Sequence, residues 1–256
     1  PHGLHPPAPL VRAVMRAVGL GHNPALLARP SVEYRGVPAG WGGGTWHAQL
    51  EAIVATAKSQ PNTELVFFGD SITQGLTGSA DRVVRADGQR AIDRVFGGIP
   101  ALGLGLSGDR TEHLLWRIEH GALAHVDPRL VVLQIGANNI NAAGHSAAET
   151  LAGISAVVAS LREHEPDAAV LVCGPFPLGV APTEERRRMA SEVHEGSAAL
   201  HDPANGVHVV DLWPLFLGPD GRASANLAGD GIHATEAGRR AWMQAMAPLV
   251  TELLAE

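Results

Sequence analysis

Five short apolar segments recur along the chain: ELVFFG (64–69), IPALGL (99–104), LVVLQIG (130–136), AAVLVCG (168–174) and VHVVDLW (207–213). Little polar alternation interrupts them, and near-continuous runs of Val, Ile, Leu and Phe are what strands buried on both faces require. Helix-patterned stretches separate them. TEHLLWRIEHG (111–121) puts Leu114, Leu115 and Ile118 on one face, and longer helical patterns span 146–165, 183–202 and 234–256. A further helix from about 45 to 59 leads into the first apolar run. Strands alternating with helices imply an α/β fold, a parallel sheet with helices on both sides. Ligands of such sheets bind beyond the carboxyl ends of the strands, so residues that end a strand carry more functional weight than residues that begin one.

The chain can supply the core this needs, because 45% of its 256 residues are hydrophobic and 18% charged. Neither an internal repeat nor a linker divides it. A net charge of −7 with scattered basic residues argues against nucleic acid or an acidic membrane surface as partner. No apolar stretch reaches transmembrane length. Cys173 is the only cysteine, which rules out an internal disulfide and a thiolate metal site, and its apolar surroundings predict a buried, inert thiol. Residues 1–45 read as an N-terminal extension to a domain over 46–256. PHGLHPP is expected to be disordered, and APLVRAVMRAVGL to form a short amphipathic helix. Its stripe of Leu10, Val11, Val14, Met15 and Val18 must be covered by the domain or by a partner, and a homo-oligomer is one such arrangement. GVPAGWGGGTW is a Gly-rich loop without the Lys-Ser/Thr ending of a phosphate-binding loop. The chain begins at Pro1, which leaves room for a removed leader or tag; a soluble protein is expected, cytoplasmic in preference to secreted.

Two strand ends and the turn entering the final helix carry residues capable of chemistry. After the first run, FFGDSITQG places Ser71 before a helix, where it is either an N-cap or a nucleophile at the sheet edge. The third ends in QIGANNIN, where Asn138 and Asn139 are turn residues unless the Asn138 amide is aimed at a site. Near the C-terminus, LAGDGIHATEAG sets Asp230 and His233 three apart. That spacing lets a carboxylate hold one imidazole nitrogen and leaves the other as a base. A capping Asp beside a surface His is the plainer alternative. A metal site needs more ligands, and His113, His120 and His125 offer no matching motif. Each element is weak singly, but together they assemble a nucleophile, a base with its orienting acid, and oxyanion donors at one sheet edge.

The blocks GDSITQG, GLSGDRT, GANN and DGIH resemble, in order, the four blocks of the SGNH (GDSL-type) hydrolases. Within them, GDRTEHLLWRIEHG followed by VVLQIGANN is similar to the platelet-activating-factor acetylhydrolase alpha-subunit group and to related bacterial acetylesterases. The resemblance implies a flavodoxin-like, three-layer α/β/α sandwich on a five-stranded parallel sheet. It implies hydrolysis of a small ester without metal or cofactor. By motif position, Ser71 would be the nucleophile, His233 the base and Asp230 its partner. Oxyanion donors would be the backbone N–H groups of Ser71 and Gly108 and the side-chain amide of Asn138. The chain departs from the group in three places. Gly103 stands where Asn is common, Ala137 stands where Thr is common, and the segment 76–89 is long.

One motif points elsewhere. Gly103, Gly105 and Gly108 in GLGLSGDRT spell G-x-G-x-x-G, the dinucleotide fingerprint. In a dinucleotide fold that motif follows the first strand, and an acid about 20 residues on ends the second. Here it follows the second run, and Asp127 precedes the third, so the match reads as accidental. The expectation is a serine esterase acting on short acyl, above all acetyl, esters of a carbohydrate or lipid alcohol. The rivals are an acyltransferase on the same residues, a nucleotide-binding module using 103–108, and a non-catalytic relative.

Overall fold

The computed structural model describes residues 23–32, 45–77, 92 and 95–255. The expected 8–20 helix with its apolar stripe, most of the 36–46 loop and most of the 76–89 segment fall outside the described residues.

Five parallel strands form one sheet in the order β2-β1-β3-β4-β5: β1 Leu65–Gly69, β2 Ala101–Gly105, β3 Leu130–Gln134, β4 Ala169–Val172 and β5 Val207–Val209. Helices α1 Trp46–Ser59, α2 Ser71–Thr77, α3 Thr111–Glu119, α4 Ala137–Asn141, α5 Ala147–His164, α6 Glu185–Ser197, α7 Trp213–Phe216 and α8 Glu236–Leu253 cover both faces. All five strands lie where the apolar runs placed them, each shorter than its run. The third run loses Ile135 and Gly136, and the fifth loses Val210–Trp213, because the chain turns into a helix while still apolar. At the ends of β1, β3 and β4 the residues on both sides of the last paired one are buried, so hydrophobicity alone does not mark where pairing stops.

The sheet's core is dry and continuous. Val66, Phe67 and Phe68 of β1, Leu130–Leu133 of β3 and Val170–Val172 of β4 are essentially inaccessible. Cys173 is buried as expected, and burial pushes its thiol up to about 12, where it stays protonated. β1 pairs with β2 on one side (Gly69 beside Gly105) and with β3 on the other (Gly69 beside Gln134). The chain therefore leaves β1 in one direction and β3 in the other. That switch point is where an open parallel sheet parts its loops and leaves a crevice.

Gly105 sets how close α2 can come. A Cβ there would lie 2.3 Å from the Gln74 backbone nitrogen and 2.8 Å from the Asp70 carbonyl. Only a residue without a side chain lets the start of α2 rest on the end of β2. So two glycines of the apparent fingerprint, Gly103 and Gly105, are strand residues within β2 rather than a phosphate loop.

Part of the N-terminal extension is docked. A 3-10 turn, Pro24–Leu26, packs against α3 and α5, with Ala25 wholly buried and its carbonyl accepting from Thr111 Oγ1 at 2.9 Å.

Candidate active site

The carboxyl ends of β1, β2 and β3 meet at the switch point, and the loops leaving them bring the sequence candidates together. Ser71 is the first residue of α2, directly after β1, and is 6% exposed. Its Oγ lies 3.0 Å from His233 Nε2. The other ring nitrogen, Nδ1, lies 2.6 Å from Asp230 Oδ2. Residues 162 positions apart thus form one line: hydroxyl, imidazole, carboxylate.

The 230–233 turn fixes that line. Asp230 Oδ1 accepts from the backbone N–H groups of Ile232 (2.8 Å) and His233 (3.0 Å), so the carboxylate is held by its own turn while Oδ2 reaches the ring. Burial opposes ionisation of Asp230, but the bonds from the His233 ring and the two backbone donors outweigh it and hold the carboxyl below its ordinary range. An ionised Asp230 accepts from Nδ1–H, which leaves Nε2 unprotonated and facing Ser71.

The turn is braced from outside. Gly179 N–H donates to the Gly231 carbonyl at 2.8 Å. The Arg186 guanidinium reaches the Asp230 carbonyl (3.4 Å), Asn141 Oδ1 at the end of α4 (3.3 Å) and Glu184 (2.9 Å).

Across from His233, residues 106–109 form a hydrogen-bonded turn closed by Asp109 N–H to the Leu106 carbonyl, 3.1 Å. Gly108 occupies its third position with φ +83°, the left-handed value a type II turn demands there. The Leu106 N–H donates to the Gly69 carbonyl, and the Ser107 N–H to Gln74 Oε1, so the turn is tied to β1 and to α2. Ser71 and Gly108 are both buried, and among the described residues no protein group accepts from either backbone N–H. Asn138, in the first turn of α4, points its Nδ2 to the Asp109 carbonyl (3.0 Å), with Asp70 Oδ2 farther off at 3.5 Å. The asparagine pair thus lies in a short helix rather than a plain turn. The structure brings Ser71, Gly108, Asn138, Asp230 and His233 to one sheet edge.

Asn139 faces the other way and is completely buried. Its Oδ1 accepts from Thr111 N–H at 3.1 Å, and its Nδ2 lies within reach of Thr111 Oγ1 (2.9 Å) and His145 Nδ1 (3.1 Å). It ties α4 to the start of α3.

Beneath the site lies a buried charge cluster that the sequence reading did not single out. Asp70 and Asp109 have no solvent exposure, and Arg117 is 1% exposed. Arg117 Nη1 donates to Asp109 Oδ2 at 2.7 Å, and Trp46 Nε1 donates to Asp109 Oδ1 at 2.6 Å. Burial pushes Asp109 up to about 6, with Arg117 and Trp46 opposing; burial, with Asp109 adding to it, pushes Asp70 up to about 7 against the Ile72 N–H. Both aspartates stand inside quoted motifs, GDS and GDR, but only the fold reveals that they share one pocket. Among the described residues no group of three or more His, Cys, Asp or Glu could hold a metal ion, and no helix is long and apolar enough to cross a membrane.

Proteins similar to this chain are found both by sequence and by structure. The family described as GDSL-like lipase/acylhydrolase matches residues 67–241. Human platelet-activating factor acetylhydrolase IB subunit alpha1 is 34% identical over 218 residues, covering 84% of this chain and 87% of the human one. The chicken (Gallus gallus) alpha2 subunit is 30% identical over 212 residues, covering 82% and 86%. Among solved structures, a GDSL-like lipase from Bacteroides thetaiotaomicron superposes with a TM-score of 0.60 at 19% identity, covering 81% of this chain and 98% of that one. An acetyl xylan esterase superposes with a TM-score of 0.57 at 23% identity, covering 73% and 99%. A five-stranded parallel sheet with helices on both faces, a motif match over most of the chain and relatives above 30% identity lead to one assignment: the chain belongs to the GDSL-like lipase/acylhydrolase family, a family of ester hydrolases.

Proposed function

We propose that this chain is a serine esterase that removes short acyl groups, acetyl foremost, from a carbohydrate or lipid alcohol through an acyl-enzyme. The observation that carries the reading is the line Ser71 Oγ, His233 Nε2 and Asp230 Oδ2, at 3.0 Å and 2.6 Å along its two links. In this reading Ser71 Oγ attacks the ester carbonyl as His233 Nε2 takes its proton, and Asp230 stabilises the imidazolium. The oxyanion rests on the Ser71 and Gly108 N–H groups and the Asn138 amide. His233 returns the proton to the leaving alcohol, and water repeats the cycle on the acyl-serine.

Acetyl is favoured by two of the similar proteins, an acetylhydrolase subunit and an acetyl xylan esterase. Their alcohol halves differ, so they do not single out an alcohol for this chain. Ala137, directly before Asn138 where the related group commonly has Thr, lacks that side chain's bulk, and we take the acyl side to widen modestly from acetyl to about butyryl. Each methylene in such a pocket is worth about 1–3 kcal/mol of discrimination. A panel of esters varying acyl length and alcohol independently tests the reading, with Ser71→Ala as control. Turnover should be highest from acetyl to butyryl and absent in Ser71→Ala; faster turnover of octanoyl than acetyl esters overturns the acyl assignment.

A further inference from the structure

Asp109 connects two of the proposed oxyanion donors. It closes the turn that presents the Gly108 N–H, and its carbonyl takes the Asn138 amide at 3.0 Å. Whatever fixes Asp109 therefore fixes both. Its Oδ2 is fixed from α3, by Arg117 Nη1 at 2.7 Å. Its Oδ1 is fixed from α1, by the indole of Trp46 at 2.6 Å.

Trp46 Nε1 is the hydrogen-bond donor to Oδ1. His113 Nδ1 lies 3.6 Å from the same oxygen, beyond hydrogen-bond range. Its ring is engaged by Arg110, whose backbone N–H lies 3.2 Å from Nδ1 and whose Nη2 lies 3.2 Å from Nε2. Burial, with Arg110 adding to it, holds the ring far down, at about 3, and therefore neutral. Trp46 itself is 2% exposed and packed against Trp116, with ring centroids 5.5 Å apart, so the indole is held by its neighbours. It lies outside the stretch, 67–241, that the family match covers.

We infer that Trp46, the first residue of α1, is a positioning residue for catalysis: its indole N–H anchors the Asp109 carboxylate and so aligns the Gly108 N–H and the Asn138 amide on the oxyanion. The inference rests on the proposed oxyanion roles of Gly108 and Asn138. Without that bond, one oxygen of a buried carboxylate has no donor, and the side chain must turn to find one. The turn at 106–109 shifts with it. Oxyanion donors act only as the carbonyl becomes tetrahedral, so the loss appears in kcat and not in KM. A misaligned donor costs less than an absent one, so the expected fall is about tenfold, against about 10²–10³ for outright removal of a donor.

The test is a double-mutant cycle on the full chain with an acetyl ester, using Trp46→Phe, Asn138→Ala and the pair. Trp46→Phe should lower kcat about tenfold with KM within about twofold. In the Asn138→Ala background the same change should cost about threefold instead of tenfold, because one of the two donors it aligns is already gone and only the Gly108 N–H is left to misalign. Wild-type kcat in folded Trp46→Phe, or a full independent loss in both backgrounds, overturns the inference. Wild-type kcat in Asn138→Ala overturns the oxyanion reading instead, so the two failures are distinguishable. If Trp46→Phe does not fold, benzothienylalanine at position 46, with sulfur in place of N–H at unchanged shape, gives the same comparison.

Discussion

The Asn138 amide gives one N–H to the Asp109 carbonyl at 3.0 Å, while Asp70 Oδ2 at 3.5 Å is too distant to hold the other against a developing oxyanion. Asn138→Ala should therefore lower kcat by about 10²–10³ with KM nearly unchanged. The neighbouring Asn139 is completely buried and bonded to Thr111, so Asn139→Ala should lower stability by about 1–3 kcal/mol and rate much less. Steady-state kinetics with melting curves for both variants check the contrast; equal rate losses would contradict it. Asp70 allows a second prediction at this scale. Its ordinary value is 3.8, and burial raises it to about 7. Between those values the folded protein keeps a proton that the unfolded chain releases, so raising the pH through that window removes stability. Asp70→Asn cannot ionise, and its amide oxygen can still accept from the Ile72 N–H. The Tm of Asp70→Asn minus that of the wild type should therefore grow from about pH 4 to about pH 8. Calorimetry at matched ionic strength reads this, and a flat difference would show that Asp70 does not titrate there.

At the scale of elements, the distance between β2 and α2 is decided by one missing methyl group. A Cβ on Gly105 would meet the Gln74 nitrogen at 2.3 Å, and neither backbone can yield cheaply. Gly105→Ala should cost about 1–3 kcal/mol as overpacking. It should also move Ser71 away from His233, since Ser71 begins the displaced helix. Loss of kcat in material that is still folded, by circular dichroism at low temperature, is the expected result. A stable variant with wild-type kcat would mean that α2 can re-seat without disturbing Ser71.

For the whole molecule, the question is what the docked part of the N-terminal extension does. Residues 23–32 lie against α3 and α5, with hydrogen bonds from Thr111 Oγ1 to Ala25, from Arg29 N–H to Glu112 and from Asn23 Nδ2 to Glu149. None of these groups touches the Ser71 line. Deleting residues 1–32 should remove about 3 kcal/mol at about 1 kcal/mol for each bond, lowering Tm by about 6–12 °C. Labelling of Ser71 by a fluorophosphonate should persist below that temperature. Abolished labelling in a folded truncation would assign the extension a part in the chemistry.

Much of this was legible in the residues themselves. Five runs without alternation could only be strands covered on both faces, and their order with the intervening helices required a parallel sheet. Ser71, Asn138, Asp230 and His233 were visible because each ends a strand or enters a helix inside a motif that resembles one family. Strand ends were less legible: Ile135 and Val210 are as apolar as the residues that pair, and hydrogen bonding, not hydrophobicity, stops a strand. The Asp109 cluster was not legible at all. Trp46 and Arg117 stand 63 and 8 residues from Asp109, and no local pattern of propensity or periodicity links them. Sequence determines which segments must be buried, because burial is a property of each side chain against water. Which buried polar groups find one another depends on how separate elements cross, and only the tertiary structure decides that.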